Sequence, residues 1–161
     1  FIRPTTTALE ALEVRLAGVA ASDPVCQRLM TAPGVGAITA LAFVAALDTP
    51  RRFRTASQVT QYLGLVPRET SSGEQQRRGH IVRSAQPRVQ TLLVQAGWRL
   101  LRSTDPQALA LRLWGQALAA RRGRRIAVVA LARRVARVLW AMWRDDVRFR
   151  PAPIRARKLE E

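Results

Sequence analysis

Apolar residues recur at three-and-four spacing along most of the chain, which is the signature of amphipathic helices. Leu9, Leu12, Leu16 and Val19 predict a helix over Thr7–Val19, the end of a longer helix or coiled coil. Asp23-Pro24 joins a capping carboxylate to a proline at the first helical position, so a short helix should run to about Thr31. Ala32-Pro33-Gly34-Val35-Gly36 breaks it, and Ala37–Leu47 forms the next helix. Asp48-Thr49-Pro50 reads as a turn, and Phe53 is expected to pack inward. Thr55 caps a helix over Ala56–Leu63 that Gly64 ends. Gly64–Gln86 has no sustained period and is rich in Gly, Ser, Arg and Gln, so it reads as a long loop of functional or disordered character. Pro87 opens a strong helix with Val89, Leu92, Leu93, Ala96, Leu100 and Leu101 on one face. Asp105-Pro106 repeats the cap-plus-proline signal for a helix to about Ala120. A basic turn, Arg121–Arg125, leads into a last amphipathic helix over Ile126–Arg144, and Phe149–Glu161 is expected to be a loose tail.

These elements predict an all-α fold: a helical bundle with a helix-hairpin-helix-like element, a long functional loop and no strand. The expected organisation is the end of a linker helix or coiled coil over 1–22, a domain over 23–120, a basic helical extension over 121–150 and a flexible tail over 151–161.

Composition narrows the function classes. The 161 residues carry 27 Lys+Arg against 11 Asp+Glu, a formal net charge of +16, and Lys158 is the only lysine. At 48% hydrophobic, the chain is too apolar for a disordered basic tail. The charge is uneven: residues 1–50 hold 3 bases and 4 acids, 51–100 hold 9 and 2, and 101–161 hold 15 and 5. Such an excess points to a polyanion, nucleic acid first, and arginine suits phosphate through its planar fork. Cys26 alone excludes a disulfide scaffold, and His80 alone argues against a His-ligated metal, so no metal site is expected here. Apolar runs such as Ile38–Leu47 are too short to span a bilayer, and no signal peptide opens the chain. The expected setting is therefore cytoplasmic, with no membrane partner. A start at Phe1 rather than Met suggests a piece of a longer protein.

Two motifs carry candidate chemistry. In Pro33-Gly34-Val35-Gly36 the glycines let backbone N–H groups converge at a helix N-terminus, a sequence-independent phosphate site. Val35 would anchor the hairpin in the core. A plain helical corner needing both glycines for geometry explains the motif too, and the near-neutral local charge weighs against phosphate. The second motif is Gly64-Leu65-Val66-Pro67-Arg68-Glu69-Thr70-Ser71-Ser72-Gly73, flanked by Arg77, Arg78 and Arg83. It fits either a serine nucleophile in an anion-binding loop or a solvated turn. Glu69, Glu74 and His80 are the nearby candidate bases. Asp23 and Asp105 are explained as caps and Asp48 as a turn residue, and the adjacent Asp145-Asp146 should point different ways, so a two-metal nuclease site is not expected. Trp98, Trp114, Trp140 and Trp143 lie at helical spacing among aliphatics and are expected in the core, not as base-stacking platforms.

The run PGVGAITALAFVAALDTPRRFRTASQVTQYLGLVPRETSSGEQQRRGHI resembles the C-terminal domain of a transposase family. This is the insertion-sequence family one-hundred-and-ten, with one-sixteen and nine-oh-two, which includes the Piv-type DNA invertases. The likeness covers roughly Cys26–Arg102, and the basic helix Arg124–Arg144 is similar to the family's last helix. It implies the C-terminal part of a DNA transposase or site-specific recombinase, whose serine attacks DNA covalently in strand cleavage and transfer. On this sequence the serine falls on Ser72, with Ser71 as the alternative. Arg68, Arg77, Arg78 and Arg83 would surround it, and Pro33, Gly34, Val35, Gly36, Arg124 and Arg125 would also contact nucleic acid.

The resemblance further implies an N-terminal RuvC-like domain with a DEDD set of acids binding Mg2+, a connecting coiled coil, homo-oligomers and, in at least some members, a guide (bridge) RNA. No cofactor is expected in this chain itself. The RuvC-like domain is absent from this sequence, so the chain alone should bind nucleic acid without recombining it. Arg83-Ser84-Ala85-Gln86-Pro87-Arg88-Val89-Gln90 stands where the family reads like "KRGN…LR". The rival readings are a non-catalytic helix-hairpin-helix DNA- or RNA-binding module and a helical membrane-surface protein.

Overall fold

The computed structural model describes residues 3–69, 78–81 and 86–151. Its elements in chain order are α1 (Arg3–Ser22), α2 (Pro24–Leu29), α3 (Ala37–Leu47), α4 (Ala56–Tyr62), β1 (Pro67–Glu69), β2 (Arg78–Ile81), α5 (Pro87–Arg102), α6 (Leu109–Arg122) and α7 (Arg124–Arg144). Single 3-10 turns at Pro50–Arg52 and Pro106–Ala108 precede α4 and α6. The fold is an all-α bundle, as the periodicity predicts.

The caps read from the sequence are in place. The Asp23 carboxylate accepts from the Val25 N–H at 2.9 Å, the Thr55 hydroxyl from the Gln58 N–H at 3.3 Å and the Asp105 carboxylate from the Gln107 N–H at 2.8 Å. Each satisfies an amide donor that the first turn of a helix leaves unpaired. Asp48 closes α3 with a left-handed φ of 63°, as a turn residue can.

Helix α7 is the axis of the molecule: it packs against α5, α6, α4, α2 and the Pro50–Arg52 turn. This helix lies within residues 121–150, expected as a basic helical extension. Its buried face holds Val128, Leu131, Val135, Leu139, Trp140 and Met142, together with Ala127, Ala132 and Ala136. The alanines let neighbouring backbones come close, and one crossing depends on it. A Cβ on Gly97 of α5 would lie 2.6 Å from the Val128 carbonyl oxygen of α7, so only glycine fits there.

The Pro33–Gly36 hairpin is held on α5. Val35 is buried, as expected, and Gly34 takes a φ of +79° with Leu100 and the Ala96 carbonyl close to where a Cβ would sit. Gly36, by contrast, has ordinary extended backbone and open space where a Cβ would sit.

Two expectations need correction. The 64–86 segment contains strands: β1 and β2 form an antiparallel pair, with Pro67 opposite Ile81, Glu69 opposite Arg78 and an irregularity between. The chain beyond α7 also begins packed rather than loose. Phe149 is partly buried against the core, and its N–H donates to the Thr31 hydroxyl at 2.9 Å. Beside that bond, Arg28 pairs with Asp146 at 2.5 Å, so the end of α7 is fastened to α2.

Helix α1 packs on α2 and α3. Of its predicted apolar stripe, Leu9, Leu12 and Val19 are exposed and Leu16 is half-buried, leaving a seam of the kind that coiled coils bury.

Candidate nucleic-acid interface

Two regions could meet a polyanion: the root of the Ser-Ser-Gly loop and a groove along α7.

At the loop root, Gly64 ends α4 with a φ of +66°, and Leu65 behind it is fully buried. The Gln90 side chain of α5 donates to the Gly64 carbonyl at 2.8 Å, and the Gln86 amide donates to the Tyr62 hydroxyl at 3.2 Å. These bonds tie the chain entering the segment to the chain leaving it, and the β1–β2 pair continues the tie outward. Residues 70–77, with Ser71, Ser72 and Arg77, lie outside the described residues, as does Arg83. Arg68 and Arg78 fall on β1 and β2.

The Pro50–Arg52 turn connects this root to α7. The Arg52 guanidinium stacks over the Tyr62 ring at 4.8 Å, and Phe53 packs against the same ring at 5.3 Å. The Trp140 indole N–H donates to the Pro50 carbonyl at 3.0 Å. Over the Trp140 ring lies the Arg144 guanidinium, at 4.5 Å.

From Arg144 an open groove of about 710 Å³ follows α7 toward α6. Arg133, Arg134, Arg137 and Arg144 line it together with Trp114, Trp140 and Ala56, and none of its described lining residues is acidic. The arginines recur at helical intervals, which gathers them on one side of α7. Asp145 stands at one end, where paired hydrogen bonds from Arg144 at 2.6 and 2.8 Å hold its carboxyl below the usual carboxylate range. Arg134 also borders a second hollow of about 370 Å³, where Arg148 and Arg150 add charge.

The structure brings Arg133, Arg134, Arg137 and Arg144 together, which no sequence motif marks. Arg124 and Arg125 are exposed at the start of α7, away from the residues that line this groove. The tryptophan expectation holds for Trp140, which is buried, and for Trp98 and Trp143, which pack partly buried against the core. It fails for Trp114: 37% of its surface is open and Arg134 stacks on its ring at 4.8 Å. The α-helical period put it among aliphatics, but Leu113 beside it is exposed too, so this side of α6 faces outward. No helix among the described residues is long and apolar enough to cross a membrane.

The family profile described as Transposase IS116/IS110/IS902 matches residues 26–112, more than half of the chain and all of the loop segment. The chain belongs to this transposase family. Among curated relatives, the "Probable family 20 transposase" of Pseudomonas aeruginosa is 35% identical over 157 residues, which cover 93% of this chain and 46% of that protein. The transposase for insertion sequence element IS1111A of Coxiella burnetii is 36% identical over 130 residues, 81% of this chain and 36% of that protein. The transposase for IS1328 of Yersinia enterocolitica is 28% identical over 134 residues, 83% and 40% respectively. The chain therefore spans less than half the length of these IS116/IS110/IS902-type relatives. No solved structure matches it.

Proposed function

We propose that this chain is the DNA-binding, serine-bearing domain of a transposase or site-specific recombinase. In this reading Ser72 Oγ attacks a DNA phosphodiester. The Oγ–P bond forms as the bond to the leaving deoxyribose oxygen breaks, the serine proton passes to a base, and the leaving oxygen is protonated in turn. The product is a phosphoserine link that a second strand's hydroxyl can resolve. Arg68, Arg77 and Arg78 neutralise charge on the phosphoryl oxygens.

One observation carries the reading on this chain. The segment bearing Ser71 and Ser72 leaves and rejoins the helical body through bonded roots, Gln90 to Gly64 and Gln86 to Tyr62. A loop that presents a nucleophile needs such a rigid base. The exposed Leu9, Leu12 and Val19 of α1 fit the end of a coiled coil toward a RuvC-like domain and a homo-oligomer, with a guide RNA as a further partner. Magnesium belongs to that RuvC-like domain in this reading. Among the described residues no three His, Cys, Asp or Glu side chains gather to hold it, Asp145 and Asp146 pair with arginines, and Asp23 and Asp105 cap helices.

A suicide DNA substrate incubated with the full-length polypeptide tests this. A covalent adduct that disappears in Ser72→Ala and persists in Ser71→Ala is the expected result; no adduct under any condition overturns it. The groove of arginines on α7, which needs no serine, favours the second reading, a non-catalytic nucleic-acid-binding module. That reading predicts binding without an adduct.

A further inference from the structure

We propose that the α6–α7 groove is a binding site for unpaired DNA, with a base stacked on Trp114 and the backbone phosphates on Arg133, Arg137 and Arg144. The inference rests on the DNA reading above and specifies the form of DNA that this face takes.

Three observations lead there. The groove's lining charge is basic: four arginines line it and none of its described lining residues is acidic, with only Arg144 shared with Asp145 at one end. Arginines alone would serve a duplex equally well, because a duplex offers phosphates outward and keeps its bases stacked inside. The second observation separates the two. Trp114 stands 37% exposed at the groove with its ring under Arg134, on the outward-facing side of α6. An open indole is of no use to a duplex backbone, whereas an unpaired base stacks on it whatever its sequence. Arg134 is the natural gate. Its guanidinium gives up the ring to the base and turns to the adjoining phosphate, exchanging one charged contact for another.

The third observation is direction. Arg133, Arg137 and Arg144 are spaced along α7 by about 6 Å and then about 10 Å of helical rise. Ala56, at the start of α4, lines the same groove, and α4 ends at Tyr62, about 9 Å on, where the Arg52 guanidinium sits at the loop root. A strand lying on Trp114 and the α7 arginines is thereby led toward the loop root at Tyr62 and Gly64. Such a path suits a recombination substrate that is opened near the cut.

Fluorescence anisotropy with dye-labelled DNA tests the proposal on the whole chain, comparing a single strand, the duplex of the same sequence and the matching RNA strand at equal salt. The single strand should bind at least about tenfold tighter than the duplex. Trp114→Ala should lower single-strand affinity about tenfold and leave duplex affinity within twofold, and Trp114→Phe should restore most of the loss. Arg133→Ala with Arg137→Ala should weaken the single strand and flatten its salt dependence, which Trp114→Ala should not. Because Trp114 is partly exposed, circular dichroism should stay unchanged in Trp114→Ala. If that variant unfolds, the Phe variant and the arginine pair decide the matter. Equal losses for single strand and duplex, no loss with Trp114→Ala, or tighter binding of RNA overturns the proposal. A covalent adduct formed normally by a full-length Trp114→Ala protein with unchanged single-strand affinity removes the groove alone; failure of the wild type to bind any DNA removes the DNA reading with it.

Discussion

The indole N–H of Trp140 donates to the carbonyl of Pro50 across 90 residues of sequence. That single bond fastens the 3-10 turn before α4 to the central helix, and Arg144 lies on the same ring. Trp140→Phe keeps most of the packing and loses the donor, leaving the Pro50 carbonyl with the 3.4 Å bond from the Phe53 N–H. It should lower stability by about 0.5–1.5 kcal/mol. Trp140→Ala also opens a cavity and should cost about 3–5 kcal/mol. Denaturant unfolding followed by circular dichroism measures both, and an unchanged stability in Trp140→Phe would show that the bond contributes nothing.

Gly18 and Gly97 should respond to alanine with opposite signs. Gly18 lies on α1 with nothing within 4 Å of an added Cβ, so Gly18→Ala should stabilise by roughly 0.5–1 kcal/mol through helix propensity. At Gly97 the same methyl meets the Val128 carbonyl oxygen at 2.6 Å and must push α5 off α7. Gly97→Ala should cost about 1–3 kcal/mol, as overpacking does. Paired melting curves check the sign; a stabilised Gly97→Ala contradicts the close crossing.

Cys26 should be chemically silent in the folded chain. Burial first, then the hydrogen bond to Asp23 and that carboxylate's negative charge, raise its thiol from 9.0 to about 12. At pH 8 the folded protein should react with iodoacetamide about a thousandfold more slowly than the urea-unfolded chain, since the thiolate is the reacting form. The raised thiol also sets a direction for stability. The folded state keeps the proton while the unfolded chain releases it, so this contribution is whole below about pH 9 and declines from there toward 12. Cys26→Ser should flatten that alkaline decline.

The salt dependence of DNA binding should identify the arginines in contact. Each one that neutralises a phosphate adds about 0.9 to the slope of log affinity against log salt on duplex DNA and about 0.7 on a single strand. If Arg133→Ala and Arg137→Ala leave the single-strand slope unchanged while Arg124→Ala and Arg125→Ala reduce it, the contact lies at the start of α7 and not along its groove.

Much of this was legible in the sequence because it is local. Asp23, Thr55 and Asp105 cap where they were expected to, and α3 runs over the predicted Ala37–Leu47. What escaped depends on distant partners. The β1–β2 pair has no period to read, since its two strands are short and their register is irregular. Ala127, Ala132 and Ala136 of α7 are core residues that a search for large aliphatics passes over, and their small size is what allows the close packing. Phe149 looked like tail because the Thr31 hydroxyl that receives its N–H is 118 residues away. For the candidate site, the family motif located the loop, but Trp114 and the α7 arginines acquire meaning only once α6 and α7 lie side by side.

Because α7 carries the core on one side and the arginine row on another, its angular phase is a shared setting. One residue inserted after Ala132 would rotate everything downstream by about 100°. It would swing Arg137 and Arg144 out of line with Trp114 and, in the same motion, turn Leu139 and Trp140 away from the interior. Removing seven residues, close to two full turns, preserves the phase and shortens only the reach. Variation in this helix is therefore constrained to steps that respect its pitch, and insertions or deletions there should come in whole turns or not at all.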